Sequence, residues 1–231
     1  MNVDDFKNGT VLLIDKPLEW TSFQVVNKIR WAIKKQFGLK KIKVGHAGTL
    51  DPLATGLLII CTGKFTKRIE EFQALTKEYT GTFTVGATTP SYDLETEVNK
   101  KFSTKHITKK LIRETITRFI GEIDQKPPIF SAIKQDGKRL YDIARAGETT
   151  QIQSRKITIY KFEITKIDLP TIDFRIVCSK GTYIRSLAND FGIALNSGAY
   201  LSALRRTKIG EHSVENAYSI DTFLNKIRNS Q

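Results

Sequence analysis

A glycine-rich turn followed by an apolar run constrains this chain more than any other feature. Three glycines lie within residues 45–56, and residues 57–60 read Leu-Leu-Ile-Ile. Glycine permits backbone conformations and close approaches that other residues disfavour, and a short apolar run after a turn is typical of a buried strand. Because the same turn carries His46 and Asp51, we expect the fold to hold these two side chains beside that strand.

The charge balance favours a polyanionic partner. The 231 residues include 37 lysines and arginines against 24 acidic residues, which gives a formal net charge of +13. Contacts between basic side chains and phosphates release condensed counterions, so nucleic acid is the leading candidate partner. A basic surface without such a partner is the alternative that composition leaves open. Hydrophobic and charged fractions of 40% and 26% are those of a globular chain rather than a disordered one.

The cysteines and histidines do not predict a metal site. Cys61 and Cys178 each lie in an apolar run, which indicates two reduced core thiols. Their spacing from the three histidines matches no zinc-ligand pattern. The chain shows neither a signal-peptide pattern nor an apolar run of the ~18 residues that a membrane helix requires. We therefore expect a cytoplasmic protein.

Hydrophobic periodicity predicts a mixture of hairpins and helices. Predicted strands cover 11–14, 57–61, 77–85, 155–167, 172–178 and 200–209, and predicted helices cover 22–37, 66–75, 107–120, 182–195 and 218–227. Strand and helix do not alternate strictly, which favours an α+β fold with a mixed, mostly antiparallel central sheet flanked by helices. We expect one domain over 1–231, with a basic insert at about 125–150.

Each candidate functional residue has an ordinary structural interpretation when it is taken alone. A carboxylate before proline in a glycine-rich turn, such as Asp51, is commonly an Asx-turn or a cap. His46 suits a hydrogen-bonded loop, Tyr79 suits a core position in a strand, and Arg185 suits a surface ion pair. Only their convergence would favour chemistry.

The combination of motifs resembles a known family. Residues 45–56, which read Gly-His-Ala-Gly-Thr-Leu-Asp-Pro-Leu-Ala-Thr-Gly, are similar to the signature of the TruB-type pseudouridine synthases, which make pseudouridine in the T-loop of tRNA. Other family motifs are matched by Lys16-Pro17 with Trp20-Thr21-Ser22, by 77–81, by 125–147, by 180–185 and by 204–206. The resemblance covers nearly the whole chain and implies the pseudouridine synthase fold.

The resemblance implies three catalytic residues. Asp51 corresponds to the essential carboxylate, which attacks the target nucleoside or abstracts a proton from its ribose. Tyr79 corresponds to the tyrosine that stacks on the flipped uracil, and Arg185 to the arginine that pairs with the aspartate. Stacking on an aromatic ring is worth ~1 to 3 kcal/mol per base, enough to help hold an extruded base.

Further residues carry over as substrate contacts. His46 corresponds to the histidine that enters the T-loop, Tyr183 and Leu204 to residues that line the base pocket, and Lys16 to a supporting lysine. A looser match over 88–93 carries over Asp93. The family's isomerisation implies no metal and no cofactor, and we expect a monomer whose partner is the T-arm of tRNA.

The sequence departs from the family pattern in two places. Glu19 stands where the amino-terminal motif has glycine, which puts the tight turn there in question. Only about twenty residues follow Gly210, too few for the carboxy-terminal RNA-binding PUA domain of many members. Two alternatives remain open: a non-catalytic RNA-binding protein with the same fold, and a sister synthase that modifies another RNA with a guide RNA.

Overall fold

A computed structural model describes residues 1–131, 133–135, 137–148 and 150–229. Its helices are α1 (Val3–Asn8), α2 (Ser22–Gln36), α3 (Ile69–Ala74), α4 (Lys109–Ile116), α5 (Leu140–Arg145), α6 (Ile184–Ala194) and α7 (Ile220–Arg228). Its strands are β1 (Val11–Lys16), β2 (Val44–His46), β3 (Ala54–Thr62), β4 (Lys77–Val85), β5 (Ala87–Thr88), β6 (Lys100–Lys101), β7 (Gly121–Gln125), β8 (Lys134–Gln135), β9 (Lys138–Arg139), β10 (Arg155–Asp168), β11 (Thr171–Cys178), β12 (Ala199–Ile209) and β13 (His212–Ser213).

One mixed sheet contains most of these strands. Within the described residues nine strands join it; seven follow the order β1-β3-β12-β4-β11-β10-β7, with β2 paired to β3 and β13 to β12. β12 runs parallel to β3, whereas β1 and β2 run antiparallel to β3 and β10 runs antiparallel to β7 and β11. The predicted α+β class with a mixed, mostly antiparallel sheet is confirmed.

The chain divides into two compact units, and the first comprises Met1–Tyr79 and Leu204–Gln231. Its core explains the apolar run of β3. Leu58 and Ile60 join a cluster with side chains from β1, α2 and α7, whereas Leu57, Ile59 and Cys61 join a second cluster. Successive side chains of a strand point to opposite faces, so β3 is covered on both faces and its sequence cannot alternate.

Helix α2 begins as its sequence predicts. The side chain of Thr21 accepts a hydrogen bond from the backbone N–H of Gln24, and the side-chain oxygen of Gln24 accepts one from the backbone N–H of Thr21, which forms a capping box. The helix then buries Val26, Ile29 and Ile33 at helical spacing. The predicted helix over 66–75 is wrong at residues 66–68, because Gly63–Arg68 form a 3₁₀ helix before α3.

The second unit, Thr80–Ala203, is built around the hairpin of β10 and β11. The two strands pair across residues 168–171, as predicted. Phe83 of β4 lies 4.3 Å, ring centroid to ring centroid, from Phe174 of β11 and 5.6 Å from Phe191 of α6. This aromatic cluster packs α6 on the sheet and contributes roughly 1.5 to 3 kcal/mol for each buried ring.

The second unit also corrects one predicted boundary. The helix predicted over 107–120 is confined to α4 followed by a 3₁₀ turn at Thr117–Phe119, and Gly121 already belongs to β7. The cap decides the start, since the side chain of Thr108 accepts the backbone N–H of Leu111.

Part of the predicted insert falls beyond what the structure describes. Ala132, Asp136 and Thr149 lie outside the described residues, whereas α5 and the basic residues Lys138, Arg139 and Arg145 are described and exposed. The single-domain organisation over 1–231 stays a prediction.

Candidate active site

Asp51 lies in the loop between β2 and β3, in the first unit. The two strands pair with His46 opposite Ile60, and the backbone N–H of Ala54 donates to the carbonyl of Asp51 (3.1 Å). Asp51 is half-buried. The Ser22 hydroxyl donates to the carbonyl of Leu50 (3.0 Å) and accepts the Leu50 N–H (2.8 Å). One hydroxyl therefore holds both backbone polar groups of the residue before the carboxylate.

The buried guanidinium of Arg206 ties the same loop to β3. Its Nε donates to the carbonyl of Leu57 (2.8 Å), while Nη2 and Nη1 donate to the carbonyls of Gly48 (3.1 Å) and Thr49 (3.5 Å). Arg206 is only 1% exposed. A buried charge is tolerated when its hydrogen bonds are satisfied, and here the acceptors are backbone atoms of the loop that carries Asp51.

Lys16 supports the loop from a second side. Its ammonium donates to the carbonyls of Trp20 (2.6 Å), Pro17 (2.9 Å) and Pro52 (3.4 Å), and the side chain is fully buried. Burial lowers the pKa of Lys16 to about 8; the charge of Asp51 opposes this shift and that of Arg206 adds to it. Lys16 therefore fixes the residue after Asp51 and places a cation near its carboxylate.

Lys16 bonds to Pro17 and Trp20, in the turn where Glu19 stands in place of the family's glycine. Glu19 adopts φ +65°, in the left-handed region that favours glycine. Its N–H donates to the carbonyl of Pro52 (2.8 Å). Glu19 is exposed, so its side chain meets no buried obstacle and the loss of glycine changes the conformational cost rather than the shape of the turn.

His46 closes β2 and is half-buried beside the loop. Burial lowers its pKa, the positive charge of Arg206 lowers it further, and a hydrogen bond with the backbone of Gly48 opposes both. The imidazole is accordingly neutral at pH 7, a form that can donate from one ring nitrogen and accept at the other.

The remaining predicted residues of the first unit lie on two strands. Leu204 pairs with Ala54 in the parallel register of β12 on β3, three residues after Asp51. Gly56 makes this pairing possible, since a Cβ there would lie 2.3 Å from the carbonyl oxygen of Arg206. Tyr79 is the third residue of β4 and is 8% exposed, which confirms the prediction that it points to the covered side of that strand.

The second unit brings Arg185, Asp93 and Tyr183 together near the start of α6. Arg185 Nε lies 3.6 Å from Asp93 Oδ2, and its Nη1 donates to the carbonyl of Ser91 (3.4 Å). Both members of the ion pair are buried. Tyr183 is the residue before the helix. The structure thus unites Lys16, His46, Asp51 and Leu204 around one loop and Arg185 with Asp93 in another; the pairing of Arg185 with Asp51 stays a prediction.

The sequence analysis missed the supporting residues. Arg206 and Ser22 were quoted within motifs but given no role, and Gln125 was quoted only as the start of the insert. Arg206 lies beside Arg205, Thr207 and Lys208 in β12, so its charge gave no signal that it is buried. No sequence signal identifies Ser22 or Gln125, because their partners are backbone groups far along the chain.

The chain can now be compared with known proteins. Residues 34–184 match the family model of the TruB family pseudouridylate synthase (N-terminal domain). The chain belongs to this family. It is therefore a pseudouridine synthase, an isomerase, and the structural class agrees with the predicted one.

Two relatives illustrate how far the similarity extends. The chain is 66% identical over 224 residues to tRNA pseudouridine synthase B of Flavobacterium johnsoniae, across 96% of this chain and 98% of that protein. It is 58% identical over 219 residues to tRNA pseudouridine synthase B of Phocaeicola vulgatus, across 95% and 93% of the two chains.

Solved structures with a similar fold include chains of two multi-component complexes. The TruB-family chain resembles a chain of a Cbf5-Nop10-Gar1 complex with a TM-score of 0.71 and 28% identity, across 97% of this chain and 56% of that one. A chain of an H/ACA RNP bound to a substrate RNA that contains 2′-deoxyuridine gives a TM-score of 0.68 and 26% identity, with 97% and 55% covered.

The described part of the chain shows neither a membrane-spanning helix nor a cluster of metal-ligating side chains. No helix there is long and apolar enough to cross a membrane. No group of three or more histidine, cysteine, aspartate or glutamate side chains in the same residues could hold a metal ion. Cys61 and Cys178 are both buried and are not joined in a disulfide, which confirms the prediction of core thiols.

Proposed function

We propose that this enzyme converts uridine 55 in the T-loop of tRNA to pseudouridine. The observation that carries the proposal is the loop of Asp51, whose neighbouring backbone groups are held by Arg206, Ser22 and Lys16. A reacting group on a loop that cannot shift is what catalysis by positioning requires. Relatives with 66% and 58% identity are named tRNA pseudouridine synthase B, which supports tRNA as the substrate class.

The reaction needs one carboxylate and a closed pocket. The target uridine leaves the stack, and Asp51 attacks the nucleoside or abstracts a ribose proton, so that the bond between C1′ and N1 breaks. The detached uracil turns and rejoins C1′ through C5; C5 then loses its proton and N1 gains one. The isomerisation is balanced without an oxidant, a reductant or water.

The other predicted residues take roles that suit their surroundings. Tyr79 stacks on the extruded base, and Leu204 and Tyr183 line its pocket. Neutral His46 enters the T-loop. Arg185, oriented by the buried carboxylate of Asp93, presents a guanidinium that can pair with Asp51 when the substrate is bound.

Exposed cations supply a surface for the RNA backbone. Lys40, Lys41 and Lys43 are exposed and lead directly into β2, which ends at His46. Lys138 and Arg139 extend from the insert. Phosphate contacts fix the register of a protein on RNA without reading its sequence, and we propose that these residues hold the T-arm.

The deciding experiment uses the purified enzyme alone. An unmodified tRNA transcript is incubated with it, and pseudouridine is labelled by carbodiimide chemistry and mapped by mass spectrometry. We expect product at position 55 and none in a transcript with cytidine there. Product at other positions only, or no product, contradicts the proposed substrate.

Replacing the carboxylate tests the catalytic residue. In Asp51→Asn the side chain keeps its size but cannot act as a nucleophile or base, so turnover should fall below detection while tRNA affinity stays within severalfold. Asp4→Asn, at an exposed carboxylate of α1, is the matched control and should retain full activity. Normal turnover in Asp51→Asn would refute the assignment.

A guided synthase is the second candidate, and the fold similarity to the Cbf5 chains favours it. The chain spans 56% of that Cbf5 chain, and a guided enzyme would be inactive on free tRNA. Activity of the purified chain without any added RNA or protein separates the two candidates. We further propose that the enzyme is cytoplasmic and monomeric. Sedimentation of the purified enzyme with and without tRNA tests its oligomeric state.

A further inference from the structure

Two side chains at the base of the insert grip the turn that leads into α6. Gln125 is the last residue of β7 and Arg155 the first of β10, and they face each other in the antiparallel pairing of these strands. The insert leaves the sheet at Gln125 and returns at Arg155. We name these two residues the root pair.

Both polar atoms of the Gln125 side-chain amide form hydrogen bonds with the backbone of one residue, Tyr183. Its side-chain nitrogen donates to the carbonyl of Tyr183 (3.0 Å) and its oxygen accepts the Tyr183 N–H (2.8 Å). Gln125 is fully buried. Two antiparallel bonds to the same residue fix its orientation as well as its position.

Arg155 grips the same turn from the other strand. Its Nη2 donates to the carbonyl of Gly181, and its guanidinium carbon lies 4.7 Å from the ring centroid of Tyr183. This is the geometry of a cation–π contact. A third tie joins the first residue of the insert to the helix, since the Ser186 hydroxyl donates to the carbonyl of Lys126 (2.7 Å).

These ties enclose Arg185. Tyr183, which the root pair holds, and Ser186, which Lys126 holds, lie on either side of Arg185 in the chain. A small rotation of the insert about its base would therefore be transmitted to the backbone that carries this arginine. The contacts are polar and directional, and those of Gln125 and Ser186 are partly buried, where a hydrogen bond is stronger than in water.

We propose that Gln125 and Arg155 are positioning residues that couple the insert to Tyr183 and Arg185. RNA held by the insert would then set the orientation of the base-pocket tyrosine and of the arginine, so that binding and catalysis are linked. This inference rests on the proposed function, and it adds a route by which RNA contact outside the pocket reaches the reacting groups.

Two variants of the root pair test the inference. Gln125→Met keeps the length of the side chain and removes both hydrogen bonds; Arg155→Lys keeps the charge and removes the planar guanidinium. For each we expect the single-turnover rate on tRNA to fall about 10- to 100-fold, the loss that a misplaced reacting group produces, with the dissociation constant changed less than about 3-fold. Glu122→Gln is the matched control, because Glu122 contacts β10 through Lys156 without touching the turn.

A double-variant comparison separates coupling from simple damage. Arg139→Ala, in the insert, should lower both tRNA affinity and the single-turnover rate in the wild-type background. In the Gln125→Met background it should lower affinity alone, because the path to Arg185 is already broken. Equal losses of rate in the two backgrounds would overturn the coupling.

Hydrogen exchange gives a readout that does not depend on turnover. Addition of tRNA should slow exchange of the Tyr183 N–H in the wild type and leave it unchanged in Gln125→Met and Arg155→Lys, whose folding is checked by thermal melting. If the melting temperatures are normal and tRNA protects Tyr183 equally in all three, the inference is wrong. A wild-type enzyme that makes no pseudouridine would contradict the proposed function itself, and the inference that rests on it.

Discussion

Two buried cations, Lys16 and Arg206, hold the loop that carries Asp51. Lys16 donates to the carbonyl of Pro52, which follows Asp51 in the chain. Arg206 donates to the carbonyl of Gly48, which precedes Asp51. Charged groups taken out of water are costly unless hydrogen bonds replace their hydration. Here the replacement comes from the loop, so the same bonds that satisfy the cations also immobilise the loop.

The pH dependence of stability should report the burial of Lys16. Burial lowers its folded-state pKa to about 8 from an ordinary value of 10.5, so the unfolded chain binds more protons between these values. Stability must then rise with pH across this window, and the gain is absent below pH 8. Relative to Lys16→Met, the free energy of unfolding of the wild type should increase by about 3 kcal/mol between pH 7.5 and 10.5.

Urea titrations at several pH values measure this difference. Lys7→Met, at an exposed lysine of α1, supplies the control and should track the wild type across the range. A constant difference between the wild type and Lys16→Met would mean that the Lys16 ammonium is not desolvated in the folded state.

At the scale of elements, the predictable parts are those whose signal is local. Helix α2 was predicted because Thr21 supplies a cap and its apolar residues recur at helical spacing, and β4 because its residues alternate. The 3₁₀ helix at Gly63–Arg68 was missed because its sequence resembles the start of an ordinary helix. Short strands such as β5 and β6 have no periodicity to read, since each contains two residues.

The candidate site shows the same difference between residues with a local sequence signal and residues without one. Asp51, Tyr79 and Arg185 were predicted because a family motif marks each of them. Arg206 and Gln125 act on backbone groups distant in sequence, and such pairing follows from tertiary structure that periodicity does not encode. Burial of a charged side chain also runs against the pattern on which sequence interpretation relies.

The parallel pairing of β12 with β3 gives a prediction at this scale. In Gly56→Ala the new Cβ would lie 2.3 Å from the carbonyl oxygen of Arg206, at φ +104°. Backbone strain and the clash together should cost about 3 kcal/mol of unfolding free energy or more. Gly38→Ala is the matched control, because Gly38 also has a positive φ, +61°, but a Cβ there meets nothing within 4 Å.

The two variants therefore separate strain from contact. Gly38→Ala should cost only about 1 kcal/mol, from its backbone conformation alone. Denaturant titrations of both variants give the comparison, and equal losses would show that the close approach of β12 to β3 adds nothing. Because Arg206 lies at the point of contact, Gly56→Ala should also lower activity, whereas Gly38→Ala should not.

At the scale of the whole molecule, the net charge of +13 attracts the negatively charged RNA backbone. Attraction to phosphate is long-ranged and independent of sequence, so it brings the RNA to the surface before any base is read. The hydrogen bonds that hold the loop of Asp51 act only at short range. Affinity and catalysis are thus expected to respond differently to salt, with affinity the more sensitive of the two.

The salt dependence of tRNA affinity locates the surface responsible. If Lys40, Lys41 and Lys43 each neutralise one phosphate, their joint replacement by alanine should reduce the slope of log K against log salt by about 2 to 3, since each contact contributes ~0.7 to 0.9. Filter binding between 50 and 300 mM KCl, a range of about sixfold, measures it. Replacing Lys161 and Lys166, which are paired with Glu163 and Asp168, is the control and should leave the slope unchanged. An unaltered slope in the triple variant would show that the RNA does not contact the segment before His46. Single-turnover rates at saturating enzyme should stay near the wild-type value whether or not the slope changes.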